Sequence, residues 1–128
     1  MTTVDLDAYA DELFAETNAF RETEDRPPLE RSDCAIRHAR DRAEALTGGD
    51  ALEHAPMNDV LDACDASWSG ENLVRSAAEP AEVVTAWSNS SGHRMNLLTT
   101  EAESLGVACV RDGEELLCSQ VYLGPGGG

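Results

Sequence analysis

Two side chains capable of acid–base chemistry lie on either side of one helical stretch, and each follows a glycine. Glu71 comes after Gly70, and His93 comes after Gly92. A carboxylate and an imidazole can act as general base and acid, or they can bind a divalent metal ion such as zinc. The first question is therefore whether Glu71 and His93 meet in one site.

The elements that would position them begin with two amphipathic helices. Over residues 4–23 apolar side chains recur at helical spacing, with acidic residues between them. The Pro27-Pro28 pair ends this helix, and Ser32 or Asp33 can cap a second one. The second helix has a predicted buried stripe that consists of Ile36, Ala39, Ala43 and Leu46.

The second half of the chain is predicted to contain the strands. The predicted elements are a loop with a short helix over residues 58–63, a strand over 69–76, a helix from Pro80 to about Asn89, a helical turn over 90–98, and a β-hairpin over 104–110 and 115–123. Helices combined with strands in this order predict an α+β fold, in which helices cover an antiparallel sheet.

The four cysteines predict two disulfides. Across the turn at residues 112–113, Cys109 falls opposite Cys118, close enough to bond. Cys34 and Cys64 would then be the remaining pair. An even number of cysteines with hairpin spacing favours an oxidising compartment, and the alternative is four reduced, packed thiols.

The charge of the chain is strongly acidic. The net charge is -16, and every basic residue is Arg. Such a surface repels nucleic acid and anionic lipid, so neither is an expected partner. It fits a saline habitat, or a GC-rich genome that favours Arg and Ala codons. No apolar run approaches the roughly 20 residues of a membrane span, and the N-terminus is unlike a signal peptide.

A series of short motifs resembles the CAP superfamily, which includes cysteine-rich secretory proteins, antigen 5 and pathogenesis-related 1 proteins. The motifs are ETNAFR at 16–21, PL at 28–29, His54, GENL at 70–73, AWSNS at 86–90, GHRMNLL at 92–98, LGV at 105–107 and SQVY at 119–122. The chain is most similar to the bacterial-type SCP-like branch. The resemblance covers about residues 8–124 and implies a three-layer α-β-α sandwich with a small antiparallel sheet.

The domain is expected to span residues 1–124 as a single CAP-like unit. Residues 125–128 are predicted to be a disordered, glycine-rich tail. No second domain is expected from a chain of 128 residues, and we expect a monomer.

The resemblance also implies a cleft that is lined by two histidines and an acid. In this chain these residues are His54, His93 and Glu71, which we expect to form an open site for zinc or another divalent cation. Glu71 is expected at a half-buried strand position, where a carboxylate requires a partner. His38 is expected to be a surface residue.

The remaining cleft positions depart from the family pattern. Eukaryotic members carry a second glutamate shortly after the helix tryptophan, whereas this chain has Asn89 and Ser90 there. Asn89 and Ser90 are predicted to line the cleft, and Trp87, on the buried face of its helix, is predicted to lie in the cleft wall or in the core. Glu82 precedes Trp87 by five residues and is not assigned the role of the missing acid.

The residues and motifs are consistent with three functions. The first is a secreted or cell-surface binding module, its leader absent from this chain, that binds a metal ion and a peptide, glycan or lipid; an intracellular location is the alternative. The second is a hydrolase of a peptide or ester, which is either metal-dependent or uses Glu71 and His93 with a nucleophile among Ser69, Ser90 and Ser91. The third is an acidic interaction protein with a vestigial cleft.

Overall fold

The structure is a computed structural model that describes residues 5–125. Within this range the helices and strands are, in chain order, α1 (Leu6–Thr23), β1 (Glu30–Arg31), α2 (Asp33–Leu46), α3 (Asn58–Ala63), β2 (Ser69–Ser76), α4 (Pro80–Ser88), α5 (Ser91–Leu97), β3 (Ser104–Asp112) and β4 (Glu115–Leu123). The helices and the three long strands agree with the sequence prediction, whereas β1 was not predicted.

The four strands form one sheet in the order β1-β3-β4-β2. The hairpin of β3 and β4 is its centre, and β2 pairs antiparallel with β4. The two-residue strand β1 pairs parallel with β3. This order leaves β2 at one edge of the sheet.

Helices cover both faces of the sheet, which confirms the predicted α-β-α sandwich. One layer contains α1, α4 and α5, and its core includes Leu13, Val84, Trp87, Leu97, Leu105 and Tyr122. The other layer contains α2 and α3, and its core includes Ala35, Ala39, Val60, Val121 and Leu123. Successive side chains of β3 and β4 point to opposite faces of the sheet, so alternate residues pack against the two helical layers.

The buried face of α2 differs from the prediction. Ala39 and Ala43 are buried as predicted, but their buried neighbours are Cys34 and Ala35. The reason is close packing: a Cβ atom built on Gly106 would lie 2.3 Å from the carbonyl carbon of Ala35. Because the helix backbone touches the strand here, only small side chains fit between them. The two larger residues of the predicted stripe, Ile36 and Leu46, are half-buried.

Both predicted disulfides are present. Cys109 and Cys118 occupy opposite positions of β3 and β4 and are bonded. Cys34 and Cys64 are bonded with a separation of 5.8 Å between their Cα atoms. This second disulfide ties the start of α2 to the end of α3, and so encloses both helices and the irregular segment between them in one covalent loop.

The last described residue is in contact with the body of the domain. The carbonyl of Pro125 accepts a hydrogen bond from the backbone N–H of Ser67 at 3.1 Å. The rest of the predicted tail, residues 126–128, lies outside the described residues. Among residues 5–125, no helix combines the length and the apolar character that a bilayer span requires.

Candidate functional site

A polar cleft of about 290 Å³ opens at the β2 edge of the sheet. Its walls are formed by His54, Glu71, Asn72, Ser90, Gly92, His93 and Asn96. The cleft therefore brings together the three residues singled out in the sequence as a site, which come from the loop after α2, from β2 and from α5.

The two histidines reach the cleft from opposite faces of the sheet. Glu71 lies opposite Val121 of β4, and both side chains point toward the α2 layer. The next residue, Asn72, points the other way, toward α5. Because β2 is an edge strand, the loop that carries His54 and the helix that carries His93 meet around it.

The Glu71 carboxylate is buried and fully engaged. It accepts hydrogen bonds from Arg42 at 2.6 and 3.1 Å, from the Ser119 hydroxyl at 3.0 Å, and from Nδ1 of His54 at 2.8 Å. Burial by itself raises the pKa of Glu71, but the bonds from Arg42 and His54 outweigh that effect, so the pKa lies below its usual value. Glu71 is thus an anionic anchor for its neighbours.

The bond between Glu71 and His54 determines which nitrogen of His54 is free. An ionised carboxylate only accepts hydrogen bonds, so Nδ1 of His54 must carry the proton. The other ring nitrogen, Nε2, then carries the lone pair when the ring is neutral. The side chain of His54 is 56% exposed, so this lone pair is accessible to a ligand.

His93 is held from two sides. Its Nδ1 lies 3.0 Å from the Ser90 hydroxyl, and its backbone carbonyl accepts a bond from Asn72 at 3.2 Å. Burial lowers the pKa of His93, and the nearby His54 lowers it further. The hydroxyl of Ser90 can donate or accept, so His93 can protonate Nδ1 and expose the Nε2 lone pair without losing this bond.

Hydrogen bonds from two asparagines hold α5 against the edge strand β2. Asn96 donates to the carbonyl of Glu71 at 2.9 Å and to the side-chain oxygen of Asn72 at 3.0 Å. Asn72 also donates to Gln120 at 3.3 Å, and Gln120 in turn donates to Thr17 at 2.7 Å. A buried polar network therefore connects the cleft to α1 and gives His93 a fixed position.

Three predicted cleft residues have different locations. Ser90 lies in the cleft wall. Trp87 is only 3% exposed and donates from its ring nitrogen to the carbonyl of Leu73, which places it in the core with its ring centre 6.1 Å from that of His93. Asn89 is exposed at the C-terminal end of α4 and does not form part of the wall.

The cleft wall does not include Ser69 and Ser91, the other candidate nucleophiles, or Glu82, the acid that precedes Trp87. The hydroxyl of Ser69 donates to the carbonyl of Tyr122 at 2.8 Å, and Ser91 is exposed at the start of α5. Glu82 accepts a hydrogen bond from the N–H of Glu79 at 3.4 Å, in the first turn of α4. It is not part of the cleft wall.

The sequence prediction did not include four residues that support the cleft: Arg42, Ser119, Asn72 and Asn96. Arg42 lies in a polar stretch of α2 that has no distinctive spacing. The one available signal was the partner required by a half-buried Glu71, because a buried acid is stabilised by a cation. That signal predicts the kind of partner and cannot select one arginine among nine.

The cleft donors form an open arrangement. Within residues 5–125, the group of three potential metal donors whose ligand atoms all lie within 4.8 Å of one another is Cys34, His38 and Cys64. His54, Glu71 and His93 do not meet that limit together. With Glu71 bound to Arg42, the cleft can offer two imidazole nitrogens and leave further coordination positions open.

A four-stranded sheet between two helical layers, with a His/Glu cleft at its edge strand, defines the class of an α-β-α sandwich domain. The chain belongs to the CAP, or cysteine-rich secretory protein, family: the family model matches residues 14–122.

A relative and several solved structures are similar to the chain. The protein YkwD of Bacillus subtilis is 28% identical over 126 residues, which are 93% of this chain and 48% of YkwD. A cysteine-rich secretory protein from Staphylococcus aureus has a TM-score of 0.82 at 19% identity, over 96% of this chain and 40% of that one. The chain thus spans about half the length of YkwD, or less than half of the staphylococcal protein.

Two other structures have the same fold. An outer surface protein from Borrelia burgdorferi has a TM-score of 0.76 at 21% identity and is covered over 96% of both chains. An extracellular protein from Bacillus anthracis that contains an SCP domain has a TM-score of 0.68 at 22% identity, over 96% of this chain and 45% of that one.

Proposed function

We propose that this CAP domain is an extracellular binding module that holds a divalent transition-metal ion, such as zinc, between His54 and His93. The observation that carries the proposal is the 2.8 Å contact between Glu71 and Nδ1 of His54. A carboxylate that fixes the tautomer of an imidazole and directs its Nε2 outward is a recurrent arrangement behind zinc ligands.

In this proposal Glu71 orients a ligand and is not itself a ligand. Its two oxygens already accept bonds from Arg42, His54 and Ser119. A metal that bound Glu71 directly would have to displace Arg42 from a buried ion pair, which is costly. Two protein nitrogens leave at least two positions of a tetrahedral ion for water or a ligand.

The charge state of the cleft favours a cation at neutral pH. A histidine binds a metal through its neutral form, and the lowered pKa of His93 keeps its ring neutral at pH 7. The net charge of -16 raises the local concentration of cations around the whole domain. Both effects support metal binding, although two imidazoles alone give modest affinity.

The ligand that best fits the cleft is polar. Apart from the histidines and Glu71, the wall consists of the polar residues Asn72, Ser90 and Asn96 together with Gly92. Such groups donate and accept hydrogen bonds and offer little apolar surface to a lipid chain. We therefore propose a peptide or glycan group that reaches the metal through an oxygen atom.

The extracellular location is part of the proposal. Two disulfides in a domain of this size are typical of proteins that work in an oxidising compartment. The relative from Bacillus anthracis is described as an extracellular protein. The location of this chain is proposed from these two facts together.

Calorimetric titration of zinc into metal-stripped, disulfide-bonded protein at neutral pH tests the proposal. We expect one ion to bind with micromolar affinity, and the double substitution His54→Ala, His93→Ala to abolish binding. His38→Ala is the matched control, because His38 lies outside the cleft wall. Zinc binding that survives the double substitution would refute the proposal, as would loss of binding in the His38 variant alone.

A further inference from the structure

A second set of metal-ligating side chains lies between α2 and α3, outside the cleft. The ligand atoms of Cys34, His38 and Cys64 are all within 4.8 Å of one another. Cys34 and His38 are one helical turn apart on α2, so they share one face. Cys64 follows α3 directly as its C-terminal capping residue.

The disulfide between the two cysteines keeps this group closed to metals. A zinc-binding cysteine is a thiolate, whereas a disulfide sulfur carries no charge and binds metals poorly. His38 contributes a borderline-soft nitrogen beside the disulfide, and its side chain is half-buried. Two sulfurs and one imidazole are a donor set that zinc prefers once the sulfurs are thiolates.

We propose that Cys34, His38 and Cys64 form a redox-gated metal site, which binds zinc or a similar ion after the disulfide is reduced. A thiol reductant, as two molecules of RSH, breaks the S–S bond and is oxidised to RSSR. The two electrons and two protons that it gives up leave Cys34 and Cys64 as thiols. The metal then displaces one proton from each thiol into solvent and binds both thiolates together with His38.

The backbone spacing permits this change. A tetrahedral zinc ion with zinc–sulfur bonds of about 2.3 Å separates its two sulfurs by about 3.8 Å. The Cα atoms of Cys34 and Cys64 are 5.8 Å apart, so rotation of the two side chains can separate the sulfurs by that distance. A ring nitrogen of His38 already lies within 4.8 Å of both sulfurs.

An open cleft reaches one of the three ligands, His38. A cleft of about 480 Å³ lies between α2 and the segment before α3, and His38 forms part of its wall with Asp41 and Asp59. The carboxylates attract cations, and the open volume admits the ion and a water molecule for the fourth position. A metal site needs such an opening when its other ligands are buried, as Cys34 and Cys64 are.

The metal would replace the covalent tie between α2 and α3. Cys64 lies directly after α3, so the disulfide restrains the end of that helix against the start of α2. Reduction releases this restraint, and metal binding restores it. The redox-gated site therefore links the attachment of α3 to α2 to the redox state and the metal supply, independently of whether the cleft itself binds zinc.

Cobalt(II) titration tests the proposal, because thiolate–cobalt charge transfer gives near-ultraviolet absorption that imidazole ligation does not. The background variant is His54→Ala, His93→Ala, which silences the cleft, so the result does not depend on the proposed function. After reduction with a phosphine, we expect one equivalent of cobalt to produce the thiolate band and to raise the midpoint of thermal unfolding. The oxidised protein should show neither effect.

Substitutions then identify the ligands. His38→Ala in the same background should weaken cobalt binding at least about tenfold, since the loss of a mere partner behind a ligand already costs about 10–100-fold. Cys34→Ala, Cys64→Ala should abolish the band, and Cys109→Ala, Cys118→Ala should retain it. Circular dichroism checks that each variant remains folded.

Several results would overturn the proposal. One is the absence of the band in reduced protein, whether the chain stays folded or unfolds and is not refolded by cobalt. Another is equal cobalt affinity with and without His38. A third is binding that is equally tight in concentrated urea, which would mean that unfolded thiols chelate the ion.

Discussion

Arg42 donates two hydrogen bonds to the two carboxylate oxygens of Glu71, at 2.6 and 3.1 Å, in a nearly buried ion pair. The side chains are 11% and 2% exposed. Arg42 also donates to the carbonyls of Ala55 and Pro56, the two residues that follow His54. The pair therefore fixes the loop of His54 and supplies the anion that orients its ring.

Removal of Arg42 should destabilise the domain. Arg42→Ala leaves the Glu71 carboxylate buried without its cation, which costs about 3–5 kcal/mol for a buried pair. Urea unfolding at pH 7 measures the loss of free energy. The matched control is Arg40→Ala on the same helix, whose 3.8 Å pair with Asp7 is exposed and should contribute little. Equal stabilities of the two variants would show that the Arg42–Glu71 pair is not a structural anchor.

Neutralising Glu71 should weaken metal binding in the cleft. Glu71→Gln keeps the size of the side chain but removes the charge that fixes the Nδ1–H tautomer of His54. We expect zinc affinity to fall about 10–100-fold, the usual effect of losing a partner behind a ligand. Calorimetry in parallel with Glu12→Gln, an exposed acid on α1, separates this effect from the general loss of one negative charge. Equal losses in the two variants would assign the effect to bulk charge.

The pH dependence of stability should include a contribution from Glu71. Its pKa in the folded protein lies below the ordinary 4.5 because of Arg42 and His54, despite burial. The unfolded chain therefore binds the proton first, and the contribution is present above pH 4.5 and is lost as pH falls through the folded pKa. Urea unfolding from pH 6 to 3 should show a shallower decline in Glu71→Gln than in the wild type. An equally steep decline of the unfolding free energy in both proteins would contradict the lowered pKa of Glu71.

The two disulfides should contribute unequally to the free energy of unfolding. Cys34 and Cys64 are 30 residues apart in the sequence, whereas Cys109 and Cys118 are 9 apart. Closing the longer loop restricts the unfolded chain more, by about 3.7 against 2.7 kcal/mol on the chain-entropy estimate. We expect Cys34→Ala, Cys64→Ala to lower the free energy of unfolding more than Cys109→Ala, Cys118→Ala. The opposite order would show that strain or packing outweighs loop length.

Gly106→Ala should disrupt the packing of α2 on the sheet. An added Cβ would lie 2.3 Å from backbone atoms of Ala35 and Ile36, which cannot move as a flexible side chain can. Overpacking of this kind costs about 1–3 kcal/mol or more. Gly92→Ala is the control, since a methyl group added there would have nothing within 4 Å and alanine favours a helix. Thermal unfolding should separate the two variants clearly, and equal midpoints would contradict the close approach of α2 to β3.

The fold was predictable because its elements carry strong periodic or terminal signals. The helix of residues 4–23, the Pro80 start and the cysteine-bearing hairpin all have such signals, and all three agree with the structure. Strand β1 has two residues, Glu30 and Arg31, and no periodicity can be read from two positions. Its place depends on tertiary pairing with Ser104 and Leu105.

The candidate site was predictable only in part. His54, Glu71 and His93 line one cleft, as the resemblance implied. Arg42 was not identified, because an arginine on a polar helix face resembles a solvated charge until the helix is placed on the sheet, where Arg42 reaches Glu71 of β2. Trp87 lies in the core with Val83 and Val84, which is one of the two positions that the helical spacing left open for it, and its ring nitrogen donates to the carbonyl of Leu73.

The most direct test of the central claim is long-range proton–nitrogen NMR of the histidine rings in the oxidised protein, before and after zinc is added. Metal binding in the cleft predicts the Nδ1–H tautomer for His54 in the metal-free state, and a zinc-dependent shift of Nε2 in both His54 and His93, with His38 unchanged. Zinc that shifts Nδ1 of these rings, or shifts His38 alone, or shifts no histidine, would contradict metal binding through the Nε2 atoms of the cleft.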